Sequence, residues 1–169
     1  MSDATALPDA EATLLALAER MRGAVAHDAA FVGIYSGGAW LAERLPALVP
    51  GNHPVGYIDV AFYRDDYART GLKPNAKRTE LPFDVDGATI VLVDDVLFTG
   101  RSVRAAVNEL FDFGRPARVE LAVLIDRGGR ELPIEPTYCG ARLAVARDLS
   151  IVLSRDDGCL RLAAEKQGR

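Results

Sequence analysis

The chain has 169 residues and a formal net charge of −4, and 49% of its residues are hydrophobic. That apolar share suffices for one domain with a buried core, and the acidic balance argues against a dedicated nucleic-acid binder, whose surface carries a basic surplus. Cys139 and Cys159 lack metal or redox spacing, no basic-then-apolar leader opens the chain, and no apolar run approaches the ~20 residues of a membrane helix. A cytoplasmic protein with free thiols and no membrane partner is expected.

Residues 1–8 are expected to be frayed. Pro8 and Asp9 mark a helix start, and Leu14, Leu15, Ala18, Met21 and Val25 follow at helical spacing. Phe31-Val32-Gly33-Ile34-Tyr35 reads as a strand, broken by Gly37-Gly38. Trp40, Leu41, Leu45 and Leu48 then lie at helical spacing up to Pro50-Gly51. Residues 55–63 alternate as a second strand. Residues 64–88 are charged, contain Gly71 and Pro74, and read as a long flexible loop. Residues 89–93 form a third strand. Residues 102–113 form a helix capped by Ser102 and closed by Gly114. Residues 119–125 form a fourth strand, 126–137 a charged loop marked by prolines, and Ile151-Val152-Leu153 a last strand. Alternation of this kind predicts an α/β fold, a twisted parallel sheet flanked by helices in a single domain spanning 1–169.

The chemistry concentrates where the third strand ends. The apolar run stops at Asp94 and Asp95, and Val96, Leu97, Phe98, Thr99, Gly100, Arg101 and Ser102 lead into the next helix. The carboxyl end of a parallel strand opens onto the crevice where ligands sit in such sheets. Two carboxylates there accept hydrogen bonds from vicinal hydroxyls or hold Mg2+. A Thr-Gly-Arg-Ser turn at a helix N-terminus offers N–H groups and hydroxyls to a phosphate. Diol, metal and phosphate together describe a ribose 5-phosphate site. A phosphoacceptor receiver domain also places acids at strand ends. Its acidic pair belongs near the first strand, however, with a separate acceptor aspartate and a later lysine.

This stretch resembles the PRPP-binding loop of type I phosphoribosyltransferases. Asp59-Val60-Ala61-Phe62-Tyr63-Arg64-Asp65-Asp66, Leu81-Pro82-Phe83-Asp84-Val85, Gly114-Arg115-Pro116-Ala117-Arg118 and the run from Leu121 through Asp126-Arg127-Gly128-Gly129-Arg130-Glu131-Leu132-Pro133 resemble the PyrR family. The family comprises uracil phosphoribosyltransferases, some of which also regulate pyrimidine genes by binding mRNA. The resemblance implies that Asp94 and Asp95 face the ribose hydroxyls of PRPP, directly or through Mg2+, and that residues 96–102 cradle the 5′-phosphate. It implies that Ser36, Gly37 and Gly38 form the pyrophosphate loop. Arg64 would act from a mobile flap whose cations also include Arg69, Lys73, Lys77 and Arg78. Ile125, Asp126, Arg127 and Gly128 would belong to a small hood over the base. The activity implied is uracil plus PRPP to UMP plus pyrophosphate, in a homo-oligomer.

The chain departs from the family at informative places. Purine phosphoribosyltransferases usually carry an acid where Phe98 stands, so an aromatic residue there fits a pyrimidine. The pyrophosphate loop usually reads Thr-Arg-Gly, and here it lacks the arginine. Gly129 stands where regulatory members carry histidine, and Glu135 and Ala141 where they tend to be basic. Arg118, Arg142 and Arg147 remain as positive surface for the alternative function, a UMP- or PRPP-sensing RNA-binding attenuator with little catalysis. His27 and His53 have no partner at ligand spacing and read as surface or core residues.

Overall fold

The computed structural model describes residues 6–60 and 78–167. The first helix, α1 (Ala10–Met21), begins as its sequence dictates: Asp9 Oδ1 accepts the Ala12 N–H at 2.8 Å, and Leu14, Leu17, Ala18 and Met21 are buried along one face. β1 (Ala30–Ile34), β2 (Val55–Ile58), β3 (Thr89–Leu97), β4 (Arg118–Asp126) and β5 (Tyr138–Arg142) form one parallel sheet in the order β2-β1-β3-β4-β5. Between them run α2 (Gly37–Arg44), continued by a 3-10 turn over Leu45–Ala47, and α3 (Arg101–Phe113). β6 (Leu149–Asp156) and β7 (Cys159–Lys166) close the chain as an antiparallel hairpin.

The central strands are buried on both faces, as their continuous apolar runs require. Phe31, Val91, Val93, Ala122 and Leu124 face α1, α2 and the hairpin. Val32, Ile34, Ile90, Leu92, Leu121 and Val123 face α3 and the segment carrying Leu81, Phe83 and Val85. Leu41 and the apolar face of α1 are core. The ring of half-buried Trp40 lies under the guanidinium of Arg155 at 5.1 Å. His53 is buried and stacked on Phe31 at 4.3 Å, whereas His27 is exposed. No described helix is long and apolar enough to cross a membrane.

Several boundaries differ from the sequence reading. β2 ends at Ile58 rather than running on toward residue 63. Its outer edge is met at Tyr57 by Glu80 through two backbone hydrogen bonds of 2.8 and 2.9 Å. β3 runs four residues past Val93, so Asp94 and Asp95 belong to the strand itself, and Asp94 lies opposite Val123 of β4. α3 starts at Arg101 with Gly100 at its N-cap. Ser102 is therefore a first-turn residue and not the cap, because Gly100 takes the left-handed conformation (φ 93°) that turns the chain into the helix. The first strand ends at Ile34, before Tyr35, and Gly37 and Gly38 open α2 instead of breaking the strand. β5 and β7 were not anticipated.

Candidate active site

Every element that shapes the site meets at the carboxyl end of β3. Asp94 is 6% exposed and its Oδ1 accepts the Asp95 N–H at 2.9 Å, while Asp95 Oδ1 accepts the Val96 N–H at 2.8 Å. Each carboxylate is thus oriented by the backbone of the next residue. The start of α2 presses on this pair. A methyl group added to Gly37 would overlap the Asp95 carboxylate, and one added to Gly38 would overlap the Val93 carbonyl. Glycine is required at both positions by this close approach. Ser36 is exposed beside them, and the Tyr35–Ser36 peptide is cis. The structure therefore sets Gly37 and Gly38 directly against the end of β3 that carries the carboxylate pair.

Beyond the pair, Thr99 Oγ1 accepts the Arg101 N–H at 3.3 Å. α3 has no side-chain cap at Gly100, so its first turn presents backbone N–H groups at the positive end of the helix dipole. Residues 94–103, Arg127, residues 150–153 and Gln167 border a cleft of about 840 Å³. The left-handed φ of Gly100 and its packing fix this turn: a Cβ there would meet Ile134 atoms at 3.0 and 3.1 Å. Gly100→Ala is expected to destabilise the fold by ~1–2 kcal/mol and to weaken phosphate binding together with it. Thermal melts in the presence and absence of ribose 5-phosphate check this; an unchanged melting temperature would count against the turn as built.

The segment after β4, residues 126–135 and here called the hood, closes over this turn. Arg127 N–H donates to Leu97 O at 3.0 Å, and the Glu131 and Leu132 N–H groups donate to Thr99 O at 3.0 and 3.1 Å. Arg101 pairs with Glu131 at 3.0 Å, joining the turn to the hood through side chains as well. Asp126, 3% exposed, accepts from Arg130 twice at 2.8 Å, from Arg142 at 2.8 Å and from the Gly128 N–H at 3.0 Å. Burial pushes its pKa up, but the Arg130 and Gly128 hydrogen bonds and the two guanidinium charges outweigh this, so its carboxyl lies below its ordinary value. Arg127 is 6% exposed and stacks over the Phe98 ring at 4.1 Å. A side chain at Gly129 would strike the same ring at 2.5 Å, so glycine lets the 128–129 backbone pack on Phe98.

Of the residues singled out in the sequence, Asp94, Asp95 and residues 96–102 border one cleft with Arg127. Ser36, Gly37 and Gly38 adjoin it. Ile125 is wholly buried in the sheet and Asp126 is engaged in the hood, while Gly128 is exposed. Arg64, Asp65, Asp66, Arg69, Lys73 and Lys77 lie outside the described residues. Sequence reasoning missed the third side of the cleft, residues 150–153 and Gln167. The Asp157-Gly158 pair, a two-residue hairpin signal, was the clue that a strand followed 151–153.

Residues 5–141 match the phosphoribosyl transferase domain family. The "Bifunctional protein PyrR" of Ralstonia nicotianae is 57% identical over 140 residues, covering 83% of this chain and 80% of that protein. The chain belongs to the PyrR family. The Pseudomonas aeruginosa protein of the same name is 51% identical over 73% of this chain and 72% of its own length. Among solved structures, a hypoxanthine-guanine phosphoribosyltransferase from Bacillus anthracis superposes with a TM-score of 0.64 at 15% identity, covering 83% of each chain. At that identity the likeness speaks for the fold alone, and it agrees with the five-stranded parallel sheet found here.

Proposed function

We propose that the chain is a uracil phosphoribosyltransferase that converts uracil and PRPP to UMP and pyrophosphate. The observation that carries the proposal is the pair Asp94–Asp95 at the end of β3, running through Thr99 and Gly100 into a helix N-terminus without a side-chain cap. The carboxylates suit the ribose diol, and residues 99–102 suit the 5′-phosphate. The bond from the anomeric carbon to pyrophosphate breaks as the base nitrogen attacks. Positive charge develops on the ribose ring as this happens, and two fixed negative charges beneath it lower that barrier. Neither aspartate exchanges a proton in this scheme. Residues 36–38 receive the leaving pyrophosphate through backbone groups, and the positive charge of Arg64 serves the same group.

Mg2+ is the cofactor we assign. Among the described residues no group of three His, Cys, Asp or Glu side chains could hold a metal unaided. Mg2+ keeps most of its shell in water and substrate oxygens and asks only one or two carboxylates of the protein, which Asp94 and Asp95 provide. When bound, it offsets the charge of the pyrophosphate group. Phe98, in the cleft with Arg127 over its face, presents an aromatic wall and no acid to the base. This favours a pyrimidine over a purine. We further place the protein in the cytoplasm as a homo-oligomer.

The test is UMP formation from uracil, PRPP and Mg2+, with hypoxanthine and orotate run beside uracil. Uracil-selective turnover is expected; turnover with hypoxanthine alone would overturn the base assignment. The name "Bifunctional" on the relatives favours a second activity, regulation through pyrimidine-gene mRNA. Two of the three candidate cations are engaged, Arg118 with Glu120 and Arg142 with Asp126, each at 2.8 Å. Weak RNA binding that falls steeply with salt and strengthens with UMP is therefore expected. No binding at low salt would remove the regulator.

A further inference from the structure

β6 and β7 form a sheet of their own, and their pairing runs without a bulge from Asp156–Cys159 to Leu149–Lys166. A two-residue turn joins them, with φ of 47° at Asp157 and 78° at Gly158. In such a hairpin the closing pair, here Asp156 with Cys159, is hydrogen-bonded, and bonded and non-bonded pairs alternate away from it. Leu160, Leu162, Ala164 and Lys166 of β7 then fall in non-bonded pairs, with N–H and C=O turned away from β6. Two contacts agree with this phase. Leu160 N–H donates outward to Glu11 Oε1 at 2.8 Å, and the bonded pairs continue to Gln167, whose N–H donates inward to Asp148 O at 2.8 Å. From Leu162 onward, no hydrogen bond from the described residues reaches the outward backbone groups of β7. No proline shields this edge, and Ala163, Ala164, Glu165 and Lys166 are all exposed along it.

A free strand edge is a template for another strand. We infer that this edge of β7 pairs antiparallel with the same edge of a second copy of the chain, about a twofold axis at Ala163. The pairing supplies a contact for the homo-oligomer proposed above, and rests on that reading. Backbone and charge select the same register. Leu162 falls opposite the partner's Ala164, both with outward N–H and C=O groups, which makes a hydrogen-bonded pair that the axis repeats. Arg161 falls opposite the partner's Glu165, so opposite charges face each other twice. Both side chains are exposed, and neither has an ion-pair partner among the described residues. Within one chain they lie four residues apart on an extended strand, roughly 13 Å, too far to pair with each other. Moving the axis by one residue either way sets neither of them against an opposite charge. The contact is isologous and closes at two copies, so this edge is consumed and does not grow into a fibre. It also joins two marginal hairpins into a four-stranded sheet, one strand of which, β6, walls the cleft at residues 150–153.

Sedimentation of the full chain over a concentration series tests this, with circular dichroism to confirm that each variant is folded. The parent should sediment as a dimer or a higher oligomer built from dimers. Ala164→Pro removes an outward N–H and no bond to β6, so the hairpin should survive while the dissociation constant of this contact rises at least about tenfold. Arg161→Glu sets like charges against each other twice and should raise the constant by about the same factor. Adding Glu165→Arg to it restores opposite charges and should bring the constant back close to that of the parent. Should Ala164→Pro fail to fold, the two charge variants decide. An oligomer unchanged by these single substitutions would overturn the edge pairing while leaving the homo-oligomer intact. A double charge variant that associates no more tightly than Arg161→Glu would overturn the register at Ala163. A parent that stays monomeric at every concentration would overturn both the pairing and the homo-oligomer.

Discussion

Replacing both Asp94 and Asp95 by asparagine should lower UMP formation by at least about 10³-fold while the protein stays folded. The two halves of this expectation have separate causes. The fold should survive because the amide oxygen of asparagine can still accept the N–H groups of Asp95 and Val96, the contacts that orient these side chains at the end of β3. Turnover should collapse because the amides carry no negative charge to set against the cation-like ribose. The sign of ligand binding separates this role from a general loss of shape. Removing two negative charges from a cleft that takes an anion should leave ribose 5-phosphate binding unchanged or tighter. Circular dichroism, calorimetric titration with ribose 5-phosphate and the uracil assay together check it. Full activity in the double variant would remove the carboxylates from the site.

The features legible in the sequence were those written in local chemistry. Asp9 reads as a helix cap and is one. The apolar run before Asp94 reads as a buried strand, and the Thr-Gly turn after it leads into a helix. What escaped was set by tertiary contacts. The strand character of Asp94 and Asp95 comes from pairing with β4, which overrides the low strand preference of aspartate. β5 is a five-residue edge strand containing Gly140, whose Cβ would collide with the Leu124 carbonyl at 2.6 Å. Its composition signals close packing more than strand. Arg127 and Arg130, three residues apart, look alike in the sequence. Only the fold separates them: Arg130 turns to the carboxylate of Asp126, and Arg127 to Phe98 and two carbonyls. Arg101 offers a third case. It stands in the phosphate-type turn, but its guanidinium reaches across to Glu131 and fastens that turn to the hood.

The second large effect is expected at Arg130. Its side chain is 16% exposed and makes the densest set of polar contacts in the hood, to Asp126 twice, to Ile134 O at 2.7 Å, to Phe98 O at 3.1 Å and to Glu135 at 3.4 Å. Arg130→Met keeps the apolar stem but strands a buried carboxylate on Arg142, whose side chain is 63% exposed. A loss of about 3 kcal/mol is expected, the low end for breaking a buried pair, because Arg142 and the Gly128 N–H remain. The pH dependence carries a second signature. The Asp126 pKa is lowered by folding, so its contribution is complete above the unfolded carboxylate value near ~4 and is lost as pH falls through the lower folded value. Arg130→Met should flatten that acid limb as well as lower the plateau. Urea unfolding at neutral pH and again in the acid range measures both. Arg130→Met combined with Asp126→Leu should recover part of the loss, since no unpaired charge then remains buried. A single variant as stable as the parent at neutral pH would show that the Asp126–Arg130 pair does not hold the hood.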